Sequence, residues 1–242
     1  MVSKSQIKFV CQLAQKKQRD KANLFVAEGH KSIHEFSKAS YEMHHLYVVD
    51  PNLFLGKEFQ TVSVEEMRSM SALKTPPDSL AVFSKPIMCE ISTSSVIVAL
   101  ENIQDPGNLG TMIRLCDWFG LKDIVCSLDT VDCFNPKVVR ATMGSLARIN
   151  VHYKALKPWL KQMSAYQIMG TTMRGKSIYT SSFASPTILV IGNEGKGLSE
   201  EVMQLVNESI TIPRYGEAES LNAAMATGII LSEIRRTQTT EK

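Results

Sequence analysis

Residues 96–114 read Val96-Ile97-Val98-Ala99-Leu100-Glu101-Asn102-Ile103-Gln104-Asp105-Pro106-Gly107-Asn108-Leu109-Gly110-Thr111-Met112-Ile113-Arg114. Five consecutive apolar residues bounded by polar ones predict a strand buried on both faces, the pattern of a parallel sheet. Asp105-Pro106-Gly107-Asn108 is a strong turn sequence. A helix is expected from Asn108 to Phe119, capped by Asn108 or a neighbour and stopped by Gly120. Arg114 then falls about one and a half turns into that helix at roughly 3.6 residues per turn. Strand, polar loop and helix in this order form half of a βαβ unit, and ligands of such sheets bind outside the carboxyl ends of the strands.

The same alternation continues along the chain. Strands are predicted at Asp123–Ser127, Arg148–His152, Tyr166–Thr171, Ile188–Ile191 and Ser209–Ile212. Helices are predicted at Asn135–Gly144, Lys157–Ser164, Ser199–Val206 and Asn222–Arg236. The expectation is a mostly parallel α/β sheet covered by helices. Upstream, residues 1–90 read as a smaller α/β unit: a helix from Ser3 through Lys17, a strand at Leu24–Ala27 and a helix at His30–Ala39. A strand at Leu46–Val49, a helix at Ser63–Ser71 and a strand at Leu80–Ser84 follow. The small polar stretch 91–95 is the expected linker, which makes 96–242 the second domain.

Composition bounds the class. The chain has 242 residues, 44% hydrophobic and 21% charged, ordinary globular usage. No apolar run approaches the roughly 20 residues of a membrane-spanning helix, and no apolar stretch of signal-peptide type follows Met1–Val10. Five scattered cysteines without a CxxC pair suit free thiols in a reducing cytoplasm. The net charge of +3 is small, yet residues 1–38 carry eight basic against three acidic groups. The densest cluster, Lys16-Lys17-Gln18-Arg19-Asp20-Lys21, is either a phosphate-binding surface or a solvated helix face. His30 and His34 stand one helical turn apart, but no Glu or Cys completes a ligand set, so no metal is expected.

Two further loops stand at strand ends. Gly192-Asn193-Glu194-Gly195-Lys196-Gly197-Leu198-Ser199 is neither a dinucleotide fingerprint nor a P-loop. Its glycines permit close backbone approach. A Ser199-capped turn explains the glycines and leaves Glu194 unexplained. The second, Ile212-Pro213-Arg214-Tyr215-Gly216-Glu217-Ala218-Glu219-Ser220-Leu221-Asn222, leads into a helix rich in small residues. Ser220 or Asn222 is its candidate cap.

Together the loops resemble three ordered motifs of the SpoU (TrmH-like) branch of the SPOUT RNA methyltransferases. Asn102-x-x-Asp105-Pro106-x-Asn108-x-Gly110-x-x-x-Arg114 is similar to motif 1, Gly192–Leu198 to motif 2, and Ile212-Pro213 with Ser220-Leu221-Asn222 to motif 3. Phe25-Val26-Ala27-Glu28-Gly29-x-Lys31 more weakly resembles the family's ribosomal-protein-like RNA-binding domain. Departures are small: Cys116 where the family often has Ala, Thr237 after Arg236, and Ala223-Ala224 in motif 3.

The resemblance implies S-adenosylmethionine as methyl donor, a ribose 2′-hydroxyl of structured RNA as acceptor, a homodimer and a C-terminal trefoil knot. It implies catalytic roles for Arg114, Asn108, Glu194, Ser220 and Asn222. Thr171, Gly192, Asn193, Gly197, Ile212 and Leu221 are the expected cofactor-lining positions. Arginine is a poor proton acceptor, so Arg114 is expected to hold an RNA phosphate and stabilise the developing alkoxide. Lys16, Lys17, Arg19, Lys21, Lys31 and Arg140 are the expected RNA contacts. Ribosomal RNA is favoured over transfer RNA by the presence of the N-terminal domain. A non-catalytic RNA-binding protein of the same fold, and an enzyme acting on a small molecule or a base nitrogen, are the competing readings.

Overall fold

The computed structural model describes residues 2–71, 73–92, 94, 96–183 and 185–240. In chain order the elements are α1 (Lys4–Gln12), α2 (Lys16–Ala22), β1 (Leu24–Glu28), α3 (His30–Lys38), β2 (Met43–Val48), β3 (Gln60–Thr61), α4 (Val64–Met70) and β4 (Ser79–Ser84). They continue as β5 (Val96–Leu100), α5 (Pro106–Trp118), β6 (Asp123–Ser127), α6 (Pro136–Ala141), β7 (Asn150–Lys154), α7 (Leu156–Gln162), β8 (Gln167–Ser177), β9 (Thr187–Ile191), α8 (Glu200–Met203), β10 (Glu208–Thr211) and α9 (Ala223–Thr240). The chain forms two compact units, Met1–Ile87 with Asp132–Arg148, and Met88–Val131 with Ile149–Lys242. Residues 132–148, expected within the second domain, thus group with the first unit. Of the expected linker 91–95, residues 93 and 95 lie outside the described residues.

The first unit holds a four-stranded sheet in the order β1-β4-β2-β3. β4 runs antiparallel to β1 and β2, and β3 runs parallel to β2. Alternation along β1 separates its two faces. Phe25 meets Phe36, Phe83 and Phe134 at ring centroids 5.1, 5.8 and 4.8 Å apart. Val26 joins Val10, Leu13, Met67 and Met70 in a separate cluster. Phe134 precedes α6, which packs on β1, so aromatic packing is one reason that 132–148 belongs to this unit.

The single helix expected over Ser3–Lys17 is two helices. Ile7, Val10, Cys11 and Ala14 keep helical spacing, but the chain turns between Gln12 and Lys16. The cause is Arg19. Its guanidinium is 1% exposed and donates to the carbonyls of Leu13 and Ala14 at 2.9 and 2.7 Å. Carbonyls left without helical partners at the end of α1 are thereby satisfied. Two further donors, Nε and the second terminal nitrogen, reach Asp132 Oδ2 at 3.0 and 2.5 Å.

The second unit is a six-stranded, wholly parallel sheet in the order β10-β8-β9-β5-β6-β7, the expected α/β architecture. β5 sits between β9 and β6, and all five of its residues are buried, as its unbroken apolar run requires. Ile97, Ala99, Ile188 and Val190 pack with Trp159, Leu160 and Val202. α5 packs against α9, where a Cβ on Gly228 would come within 3.3 Å of Leu115.

In the first unit β2 starts at Met43 rather than Leu46, and β3 is not among the expected strands; in the second, two strands depart by two residues or more. β7 begins two residues later than predicted. β8 runs six residues further than its predicted end at Thr171, because 171–175 forms an excursion: Ser209 pairs with Gly170 and the next residue, Ile210, with Lys176. Gly175 lies close enough to β10 that a Cβ would stand 2.6 Å from the Ser209 carbonyl oxygen. Among the described residues no helix is long and apolar enough to cross a membrane.

Candidate functional site

The carboxyl ends of β5, β9 and β10 carry the three loops singled out in the sequence. The first is set by Asp105, whose carboxylate accepts from Asn108 N–H at 2.8 Å and caps α5, with Pro106 at the first helical position. Asp105 rather than Asn108 is therefore the cap. That leaves the Asn108 amide side chain available for other contacts.

It makes two of them. Asn108 Nδ2 donates to Glu194 Oε1 in a short hydrogen bond, and Asn108 Oδ1 accepts from Asn222 Nδ2 at 2.8 Å. Asn222 is held in turn because its Oδ1 accepts from Ala224 and Met225 N–H at 3.0 and 3.2 Å, the cap of α9. Three residues from three loops thus form one chain of side chains, Asn222–Asn108–Glu194. The amide orientation of Asn108 is fixed from both sides, since a carboxylate accepts only and the partner at Oδ1 is a donor. The second oxygen of Glu194 has no hydrogen-bond partner among the described residues.

The Gly-rich loop is preformed. Asn193 and Gly197 exchange backbone hydrogen bonds at 3.1 and 2.8 Å. Asn193 Oδ1 accepts from Gly195 and Lys196 N–H at 3.0 and 3.1 Å. Gly192 is required by space: a Cβ there would stand 2.6 Å from both Gly197 O and Leu198 N. Thr171 is half-buried and donates from Oγ1 to Val190 O at 3.2 Å, bringing the β8 excursion to β9. Ile212 is half-buried, whereas Leu221 is 51% exposed, an apolar side chain open at the tip of a polar loop.

Arg114 is exposed on α5 and makes no ion pair or side-chain hydrogen bond among the described residues. It shares its face with exposed Gly107, Thr111 and Trp118, spaced four, three and four residues apart. Trp118 is 83% exposed. On the opposite side Cys116 is fully buried, and burial pushes its thiol up to about 12, so it packs as a small apolar group. Ser220 is exposed and makes no side-chain hydrogen bond among the described residues. The structure therefore brings Asn108, Glu194 and Asn222 into contact, and leaves Arg114 and Ser220 exposed without side-chain partners among the described residues.

Among the expected RNA contacts, Lys16, Lys17, Lys21, Lys31 and Arg140 are exposed in the first unit. Lys16 pairs with Asp20 at 2.7 Å, which raises its pKa chiefly through that hydrogen bond. Arg19 is the correction. Its guanidinium is buried, with four of its five N–H donors given to Asp132 and two carbonyls, so it is not presented to a phosphate. Among the described residues no group of three metal-ligating side chains occurs, and His30 is engaged with Asp78 at 2.5 Å.

Glu101 and Ser199 are contacts that sequence reading missed. Glu101 Oε2 accepts from Ser199 N–H at 2.9 Å and its Oε1 from the Ser199 hydroxyl at 2.6 Å. Ser199 is recognisable as the cap of α8, but nothing local links it to a carboxylate 98 positions away.

Comparison with known proteins divides the chain into an N-terminal and a C-terminal match, the latter including residues 132–148. Residues 95–232 match the SpoU rRNA Methylase family, more than half of the chain, and residues 4–81 match the MRM3-like substrate binding domain. The chain is 31% identical over 232 residues to the 23S rRNA (guanosine(2553)-2′-O)-methyltransferase RlmP of Bacillus subtilis, covering 91% of this chain and 92% of that one. It spans only about half the length of some other curated relatives, such as 53% of a tRNA/rRNA methyltransferase from Synechocystis. A solved structure from Porphyromonas gingivalis assigned to the TrmH family is 34% identical with a TM-score of 0.87, covering 98% and 99% of the two chains. An AdoMet-bound rRNA methyltransferase from Sinorhizobium meliloti is 29% identical with a TM-score of 0.87, covering 98% and 97%. The chain belongs to the SpoU rRNA methylase family, with an MRM3-like substrate-binding domain in its N-terminal part.

Proposed function

We propose that the protein methylates a ribose 2′-hydroxyl of structured RNA, ribosomal RNA foremost, with S-adenosylmethionine as the donor. The observation that carries this reading is the Asn222–Asn108–Glu194 chain at the strand ends, with Arg114 on α5 unpaired among the described residues. The family membership and the 2′-O-methyltransferase activity named for the Bacillus subtilis relative support it.

The loops fit the cofactor. The Gly192–Gly197 turn is closed by its own backbone. Leu221 is an exposed apolar side chain suited to cover an aromatic ring. Gly192, Asn193, Gly197, Ile212, Leu221 and Thr171 are the residues that would hold it. When bound, it supplies an electrophilic methyl group on a sulfonium. Arg114 holds the RNA phosphate and stabilises negative charge as it develops on the ribose oxygen. Asn108 and Asn222 orient Glu194, whose unpartnered oxygen takes the hydroxyl proton, and Ser220 donates to the ribose. Lys16, Lys17, Lys21, Lys31 and Arg140 contact RNA phosphates.

The reading includes a trefoil knot in the second unit and a homodimer, for which exposed Trp118 and Met225 on the packed pair α5 and α9 are the candidate contact surface. It also places the protein in a reducing cytoplasm, which suits cysteines scattered without a CxxC pair.

The test is transfer of labelled methyl groups from S-adenosylmethionine to ribosomal RNA, followed by digestion to nucleosides. A 2′-O-methylnucleoside is expected. Label on a base would contradict the acceptor. RNA binding without any transfer would favour a non-catalytic RNA-binding protein.

A further inference from the structure

We propose that Glu101 and Asn102 are positioning residues that clamp the Gly-rich loop at both ends and so hold it in its cofactor-binding shape. The inference rests on the reading that this loop binds S-adenosylmethionine, and it concerns two residues that contact the loop rather than the reacting atoms.

The geometry is direct. Asn102 O accepts from Asn193 Nδ2 at 2.8 Å, at the start of the loop. The Glu101 carboxylate accepts from both the backbone N–H and the hydroxyl of Ser199, at its end. Two consecutive residues therefore grip positions six residues apart. Both stand on a rigid base, because Glu101 N–H donates to Ile191 O at 2.9 Å and so continues the pairing of β5 with β9 by one residue. Asn102 is itself fixed, its N–H donating to Ser127 Oγ at 2.8 Å. It adopts the left-handed region at φ 54°, which asparagine tolerates better than most residues.

Between the grips the loop is braced by Asn193 Oδ1 and by the Asn193–Gly197 bridge. These internal bonds fix the turn's shape but not its attachment to the sheet. The clamp supplies the attachment. Hydrogen bonds to a carboxylate are about twice as strong as neutral ones, and Glu101 accepts two from one residue. A loop held in place before the cofactor arrives loses less conformational freedom on binding, and affinity rises accordingly. Glu101→Gln retains the size but removes the charge: its Oε1 accepts from Ser199 N–H and its NH2 donates to the hydroxyl, so both grips fall to neutral strength.

The experiment is calorimetric titration of S-adenosylmethionine into the full chain, for the parent, E101Q, S199A and the double variant, with melting temperatures and the KM and kcat of each. E101Q is expected to raise Kd and KM for the cofactor about tenfold, with kcat at saturating cofactor within about twofold, using tenfold per 1.4 kcal/mol. S199A, which removes the hydroxyl bound to Glu101 and with it the cap of α8, is expected to raise Kd severalfold, and the double variant to lose less than the product of the two single losses. If E101Q does not fold, S199A alone decides the matter. A lowered melting temperature with Kd unchanged would make Glu101 a mere staple and overturn the clamp while leaving the cofactor reading intact. A parent chain that does not bind S-adenosylmethionine overturns the cofactor reading and the clamp with it.

Discussion

Arg19 and Asp132, 113 positions apart, form an ion pair with side chains 1% and 10% exposed. The pair ties residues 132–148 to the N-terminal unit, beside the Phe25–Phe134 contact. A buried pair of this kind is unforgiving of single changes, because removing one partner leaves the other charge uncompensated. Asp132→Ala is expected to lower stability by about 3–5 kcal/mol, read from the midpoint of urea unfolding. Arg19→Met with Asp132→Leu is expected to recover a large part of that loss. Asp132→Ala at parental stability would show that the pair is not buried.

Asn108 is expected to matter to turnover far more than to stability. It is half-buried, and its side-chain hydrogen bonds among the described residues go only to Glu194 and Asn222. Asn108→Ala breaks both links and frees Glu194, and misplacement of a reacting group by about 1 Å costs about 100-fold in rate. Methyl transfer should therefore fall about 100-fold while the urea midpoint stays near the parental value. Equal loss in both would mean that the asparagine is structural.

Asp123 gives the second unit an acid-sensitive element. It is buried at the start of β6, where burial alone would raise its pKa. Hydrogen bonds from the Ser92 hydroxyl, His152 Nε2 at 2.7 Å, Asn150 Nδ2 at 3.2 Å and Ser92 N–H at 3.3 Å outweigh burial and hold it below the ordinary 3.8. A carboxyl whose folded value is depressed adds stability that is complete above the unfolded value and is lost as pH falls through the folded one. The melting temperature is therefore expected to fall as pH drops from about 5 through 3.8 and below. Asp123→Asn should flatten that part of the curve. An unchanged acid limb in the variant would assign the sensitivity elsewhere.

How much of this was legible in the sequence differs from element to element. β5 declared itself, since only a strand covered on both faces tolerates Val96–Leu100. The motif loops were visible because turn chemistry is local: Asp105-Pro106-Gly107-Asn108 reads as a turn and 192–197 as a glycine-rich one, although the helix starts at Pro106, two residues before the expected Asn108. The break between α1 and α2 was not legible. Ile7, Val10, Cys11 and Ala14 keep one helical face, and the turn is enforced by Arg19 folding back onto carbonyls, held by a carboxylate far along the chain. The same fact removed Arg19 from the RNA surface, because charge counts cannot separate a buried guanidinium from a solvated one. Glu101 was hidden for a similar reason: its partner Ser199 reaches it only through the β5–β9 pairing.

Arg114 is the residue on which the account turns. It is the arginine of motif 1, exposed on α5 without a partner among the described residues, and the proposed mechanism gives it the RNA phosphate and the developing charge. The deciding measurement compares Arg114→Ala with the parent for methyl transfer to ribosomal RNA and, separately, for S-adenosylmethionine binding by calorimetry. The predicted result is transfer reduced by about 10²–10³-fold with the cofactor Kd unchanged. Undiminished transfer by the variant would contradict the mechanism.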